Sequence, residues 1–299
     1  ILSFTKISFF FRSFFPSGTL FTVSQAVIII PIRIISDIFV QIFFKWSGIF
    51  NSKIHFFMVS KNQIKLITSL QQKKYRKEHK MFLAEGRKVI QELLQSNFEL
   101  ESLFATSAIF PEINPNKINL VTDAELKKIS ALATANDCLA VFKIPNQKEK
   151  SDSGLIVALD DIRDPGNLGT IIRLCDWFGI KDLICSEETV DIYNPKVVQA
   201  TMGSIARVNV LYLNLENYIK ETKLPVFGTF MDGKNIYKTE LPKEGIIVMG
   251  NEANGISATI EKLAQNRLSI PRFGDLQQTE SLNVATATSI ILSEFKRNF

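Results

Sequence analysis

The sequence predicts an α/β protein with a mainly parallel sheet in its C-terminal half and a smaller α/β unit before it. Three observations carry this. From Leu155 onward, short apolar runs alternate with helical stretches, the pattern of a sheet covered by helices on both faces. The first run, Leu155–Leu159, is apolar at every position, as a strand buried on both sides requires. Residues 145–154 are polar and charged with no large apolar side chain, which marks a linker.

Residues 1–57 stand outside this organisation. They hold 13 of the 24 phenylalanines, begin with Ile and keep no helical or strand period. The expectation is upstream sequence translated in frame, with Met58 as the start. A membrane anchor or targeting segment is the alternative for the uncharged run 13–32, which Pro16, Gly18 and Pro31 interrupt. Residues 58–144 form the smaller unit. Ile64, Ile67 and Leu70 set the stripe of one helix, and Val89, Ile90, Leu93 and Leu94 that of a second over residues 85–95. Leu100–Ala105 and residues 118–121 and 138–142 are predicted strands, with a helix at 123–131 that Asp123 can cap. Within residues 155–299 the further strands are 183–185, 208–212, 226–230, 246–249 and 268–270. A last helix runs from Asn283 to about Arg297, and its small residues, Ala285 to Ser289, let another backbone come close. In such a sheet ligands collect at the carboxyl ends of the strands.

Composition excludes several classes. The net charge is +5, yet Lys6, Arg12, Arg33, Lys45 and Lys53 face only Asp37 in the first 57 residues. Any basic surface in the remainder is therefore a local patch. Three cysteines with no CxxC pair, and only two histidines, His55 and His79, give neither a disulfide framework nor a zinc pattern. No metal is expected, and a reducing, cytoplasmic setting is. No GxGxxG follows Leu155–Leu159, and GxxxxGK[ST], HExxH and GxSxG are missing, which argues against dinucleotide, nucleoside-triphosphate, zinc-protease and acyl-transfer sites.

Three turns at the ends of apolar runs hold the chemistry-bearing residues. Asp164-Pro165-Gly166-Asn167-Leu168-Gly169, with Arg173, follows the first run. Asn167 reads as a helix cap or a ligand group; Arg173 reads as an i,i+3 partner of Asp176 or as a planar fork for a phosphate or sugar oxygen. Gly250-Asn251-Glu252-Ala253-Asn254-Gly255 offers two glycines for close backbone approach and one carboxylate, either solvated or at a site. Ile270-Pro271 and then Ser281-Leu282-Asn283-Val284 form the third, in which Ser281 is a helix cap or a site residue. In this order they resemble the three signature motifs of the SpoU/TrmH family of S-adenosyl-L-methionine-dependent RNA 2′-O-ribose methyltransferases, of the SPOUT class, over residues 155–297.

That resemblance implies a SPOUT-type sheet ending in a trefoil knot, an exception to the rule against threaded loops. It implies S-adenosyl-L-methionine held largely by backbone groups at Gly250, Ile270 and Leu282, beside a loop from Thr229 to Gly233. Asn167, Arg173, Ser281 and Asn283 would line the reaction centre, with Glu252 orienting it, and a homodimer would place the site near a two-fold axis. Arg173 is implied as an electrostatic stabiliser or phosphate clamp rather than a base, because a guanidinium holds its proton. Residues 272–280 exceed the commonest family spacing, which would alter the pocket rim or substrate choice.

A ribose hydroxyl makes RNA the partner. Residues 61–88 carry nine Lys and Arg against Glu78 and Glu85, with Tyr75 and Phe82 interleaved: a solvated helical face, or an RNA surface using Lys73, Lys74, Arg76, Lys77 and Arg87. Residues 58–144 have the size of the substrate-binding domain that family members often carry. Ribosomal RNA is the first expectation and transfer RNA the second. A catalytically silent RNA-binding protein of the same fold, and an α/β enzyme for a small molecule, are the alternatives.

Overall fold

The computed structural model describes residues 59–146, 149–151, 153–274 and 281–297. The 1–57 leader and part of the long 272–280 segment lie outside the described residues. The described residues belong to one compact unit, organised by two sheets.

The first sheet follows two helices, α1 (Lys61–Ser69) and α2 (Lys73–His79). Its elements are β1 (Met81–Glu85), α3 (Arg87–Leu94), β2 (Leu100–Ala105), β3 (Ile118–Leu120), α4 (Asp123–Ile129) and β4 (Cys138–Lys143). The strand order is β1-β4-β2-β3, with β4 antiparallel to both neighbours and β2 parallel to β3. The sequence reading missed α2 and β1 and began a helix at residue 85. Phe82, Leu83 and Ala84 are all buried, so no polar alternation betrays the strand. Gly86, at φ 85°, then turns the chain into α3. The cap of α4 is Thr122, not Asp123: Thr122 and Glu125 exchange side-chain and backbone hydrogen bonds in a capping box.

The second sheet comprises β5 (Leu155–Leu159), β6 (Asp182–Cys185), β7 (Asn209–Tyr212), β8 (Val226–Asn235), β9 (Gly245–Met249) and β10 (Asn266–Ser269). Its order is β10-β8-β9-β5-β6-β7, and every adjacent pair is parallel. Helices α5 (Pro165–Trp177), α6 (Pro195–Thr201), α7 (Leu215–Glu221), α8 (Ala258–Glu261) and α9 (Val284–Lys296) connect and cover it. Residues 229–233, expected as a loop, belong to β8, which outruns β9 and continues along β10 with one register shift.

Helix α5 starts where Asp164 caps it, accepting the Asn167 amide at 2.8 Å with Pro165 in the first turn. It stops at Gly179, whose φ of 68° allows the Ile180 amide to reach back to the Cys175 carbonyl at 2.8 Å. Leu168, Ile171 and Ile172 on its inner face are fully buried, roughly 2 kcal/mol each. At Gly169 a Cβ would lie 2.4 Å from that of Ala200, so glycine sets the close approach of α5 to α6.

One buried ion pair joins the two sheets. Arg76, 2% exposed, donates from Nε (2.9 Å) and Nη2 (2.5 Å) to Asp191 in the loop after β6. Its Nη1 satisfies the carbonyls of Leu70 and Gln71. Removing one partner of such a pair costs roughly 3–5 kcal/mol. Beside it Tyr193 packs on Phe82 with ring centroids 4.8 Å apart. Among the described residues no helix is long and apolar enough to cross a membrane.

Candidate functional site

The three sequence turns converge at the carboxyl ends of β5, β9 and β10, beside the middle of β8. Glu252, exposed after β9, accepts hydrogen bonds from Asn167 Nδ2 (3.0 Å) and from the amides of Asp164 (3.3 Å) and Arg163 (3.4 Å). A carboxylate is stabilised there by the free N–H groups of a helix start. Asn167 Oδ1 accepts in turn from Asn283 Nδ2 at 2.9 Å. Asn283 caps α9, its Oδ1 taking the amides of Ala285 (2.9 Å) and Thr286 (3.2 Å). One directional chain, Asn283 to Asn167 to Glu252, therefore ties all three motifs together. Each amide is oriented by what its partner can donate or accept.

The Gly250–Gly255 turn is pinned from below. Asn251 Nδ2 donates to the Asp161 carbonyl (2.6 Å), while its Oδ1 accepts the amides of Ala253 and Asn254. Buried Asp160 accepts the Ser257 amide at 2.7 Å. At Gly250 a Cβ would fall 2.2 Å from backbone atoms of Gly255 and Ile256, so the turn closes only around glycine. Asp161, at φ 58°, holds Arg163 in a two-pronged ion pair (2.9 and 2.8 Å), which raises the guanidinium's pKa further.

Beside this polar chain lies a cleft of about 1070 Å³. Thr229, Gly250, Ile270, Ser281 and Leu282 line it. Gly233 does not; it packs instead against the backbone of Leu268. Arg173 is also elsewhere: it sits on the outer face of α5 in a second cleft of about 680 Å³, with Lys88, Trp177 and Arg207. The expected alternative, pairing with Asp176, is absent too, because Asp176 binds Arg207 at 2.9 Å. Of the basic candidates, Lys73, Lys74 and Lys77 are exposed on α2. Arg76 is buried against Asp191, which removes it from any RNA surface, and Arg87 pairs with Asp137. Asn251 and Asp160 were missed as site residues. Asn251 stood within the quoted turn, but its role as a strut shows only in three dimensions.

Volume and chemistry suit an adenosine-bearing cofactor. The walls combine apolar side chains, Met249, Leu268 and Ile291, with the Gly- and Asn-rich turn of residues 250–256, a mixture suited to an apolar ring and polar sugar groups. The fold and site thus define a parallel α/β ligand-binding domain whose polar centre is assembled from three strand-end turns. Comparison with known proteins then gives its family. The model described as SpoU rRNA Methylase family matches residues 154–293, and the MRM3-like substrate binding domain matches 61–140. A solved structure assigned to the TrmH family of RNA methyltransferases, from Porphyromonas gingivalis, is 37% identical with TM-score 0.74, covering 81% of this chain and 100% of that one. The AdoMet-bound rRNA methyltransferase from Sinorhizobium meliloti is 27% identical with TM-score 0.69, over 80% of this chain and 97% of that one. The 23S rRNA (guanosine(2553)-2′-O)-methyltransferase RlmP of Bacillus subtilis is 29% identical over 78% of this chain and 96% of its own length. The chain belongs to the SpoU/TrmH family.

Proposed function

We propose that this chain is an S-adenosyl-L-methionine-dependent methyltransferase acting on a ribose 2′-hydroxyl of ribosomal RNA. The observation that carries the reading is the Asn283–Asn167–Glu252 chain, whose Glu252 lines the cleft. Ribosomal RNA is favoured over transfer RNA because the Bacillus subtilis relative, matched over nearly its whole length, acts on 23S rRNA.

When bound, S-adenosyl-L-methionine supplies an activated methyl group, which the 2′-oxygen takes as it gives up its proton, leaving S-adenosylhomocysteine. Gly250, Ile270 and Leu282 would hold the cofactor, and Thr229 would border it. Asn167, Ser281 and Asn283 face the sugar and set its orientation, the main demand of a displacement whose electrophile arrives activated. Glu252 orients Asn167 by accepting its Nδ2 hydrogen bond. Arg173, without a partner among the described residues, meets the RNA from outside the cleft. Lys73, Lys74 and Lys77 bind phosphates.

A homodimer belongs to the same reading, supported by the outer face of α5, where Trp177 is 84% exposed. So do the trefoil knot, supported by the return of the chain from edge strand β10 to pack α9 on α5, and a cytoplasmic setting, compatible with three free buried cysteines. The division at residues 145–154 into substrate-binding and methyltransferase domains is supported by the two separate sheets.

Mapping 2′-O-methyl sites in total RNA from cells with and without the protein, beside titration of the purified protein with S-adenosyl-L-methionine, tests the reading. A lost ribosomal site together with cofactor binding is expected. No lost site and no heat on titration would reject it in favour of a silent RNA-binding protein.

A further inference from the structure

The Arg76–Asp191 pair does more than bury a charge. Asp191 belongs to the loop between β6 and α6, at the same carboxyl-end edge of the sheet as the cleft. That loop is bonded to the segment just before the first motif: the Val190 amide donates to the Ile162 carbonyl at 2.9 Å, and the Asp161 amide donates to Ser186 Oγ at 3.0 Å. Asp161 is in turn the residue that Asn251 and Arg163 grip. The Asp191 loop is held from the other side by Tyr212, whose hydroxyl donates to the Val190 carbonyl (2.6 Å) and accepts the Ile192 amide (2.8 Å). At the far end, Arg76 lies on α2, the helix that also exposes Lys73, Lys74 and Lys77 to solvent. A guanidinium whose donors all point at fixed acceptors in two separate elements permits little rotation between them.

We propose that Arg76 and Asp191 are positioning residues: together they form a strut that fixes the cationic face of α2 relative to the Asn283–Asn167–Glu252 chain. An RNA whose backbone lies along α2 is thereby delivered to the cleft in one register. This rests on the RNA methyltransferase reading. Its physical content is separate, since the strut sets geometry whether or not methyl transfer follows. An ångström of misplacement at a reaction centre costs up to about a hundredfold in rate, so a rigid connection between phosphate grip and cleft is of direct use.

The test compares wild type, Asp191→Asn, which keeps shape and acceptor but loses the charge, and Arg76→Lys, which keeps charge but loses the fork. Each is assayed with a long ribosomal RNA fragment and with a short hairpin too small to reach α2. In parallel, nitroxide labels on Glu78→Cys and Lys223→Cys report the distance distribution between α2 and the methyltransferase body by electron–electron resonance. The expected result is a broadened distribution and a fall in kcat of roughly tenfold or more on the long RNA, with hairpin turnover, cofactor affinity and RNA affinity unchanged. Equal losses on both RNAs would indicate a stability role and overturn the strut, as would an unchanged distance distribution. A wild type inactive on every RNA would reject the methyltransferase reading, while the distance measurement would still decide the strut.

Discussion

Asn283 serves two masters, and two substitutions separate them. Its Oδ1 accepts two amides at the start of α9, and its Nδ2 donates to Asn167. In Asn283→Ala both are lost, and removing the cap alone costs about 1 kcal/mol, a fall in thermal midpoint of roughly 2–4 °C for a unit of this size. Asn283→Asp keeps the acceptor and sets a negative charge at a helix N-terminus, which contributes about 0.3–1 kcal/mol, so the midpoint holds or rises. What aspartate lacks is the donor. Its oxygen would face Asn167 Oδ1 across the 2.9 Å contact, and Asn167 would have to turn its carbonyl toward Glu252. With a hydrogen bond worth about 1 kcal/mol and two acceptors left opposed, turnover should fall roughly tenfold or more, since 1.4 kcal/mol is a factor of ten. The assay is transfer of radiolabelled methyl to unmodified ribosomal RNA, with thermal melts on the same preparations. An Asp variant that turns over like wild type would show that the chain linking the three motifs has no part in the chemistry.

Three further outcomes follow from the same geometry. Gly250→Ala should abolish heat in a cofactor titration, because its Cβ would sit 2.2 Å from the backbone of Gly255 and Ile256; Gly255→Ala, strained at φ 70° but with open space around it, should lose roughly 1–2 kcal/mol of stability and still bind. Replacing Lys73, Lys74 and Lys77 by Glu should weaken RNA binding and reduce the slope of log K against log salt by about 2, at roughly 0.7 per phosphate contact on a single strand, as filter binding across a salt series would show, with cofactor affinity unaffected. Burial raises the pKa of Glu85, against hydrogen bonds from Ser130 and Ala131 that lower it. A carboxyl that binds its proton more tightly folded than unfolded loses stability as pH rises from the ordinary carboxylate range through the folded pKa. Melts across that range should therefore decline more steeply for wild type than for Glu85→Gln, and parallel curves would contradict the assignment.

What the sequence determined by itself was much of what depends on local chemistry, though helix α2 and the Thr122 cap of α4 escaped it. The unbroken apolar run of β5, the alternation of strands and helices, the Asp164-Pro165 start of α5 and the Gly/Asn turns after β5 and β9 each follow from neighbours in the chain, and they sufficed for the fold and the family motifs. Strand β1 escaped because its residues are buried on both faces and show no period. Tertiary structure alone decided where the charges went. Arg76 and Lys77 are adjacent in one basic run, yet a helix turns successive residues by 100°, so one faces Asp191 in the interior and the other faces water. Arg173 and Asn167 lie on one helix with different outlooks for the same reason, which is why a motif that names both did not bring both to one cleft. The bonds of Asn283 to Asn167 and of Asn167 to Glu252 join positions more than eighty residues apart; only the folded parallel sheet, by aligning its strand ends, brings those side chains within reach.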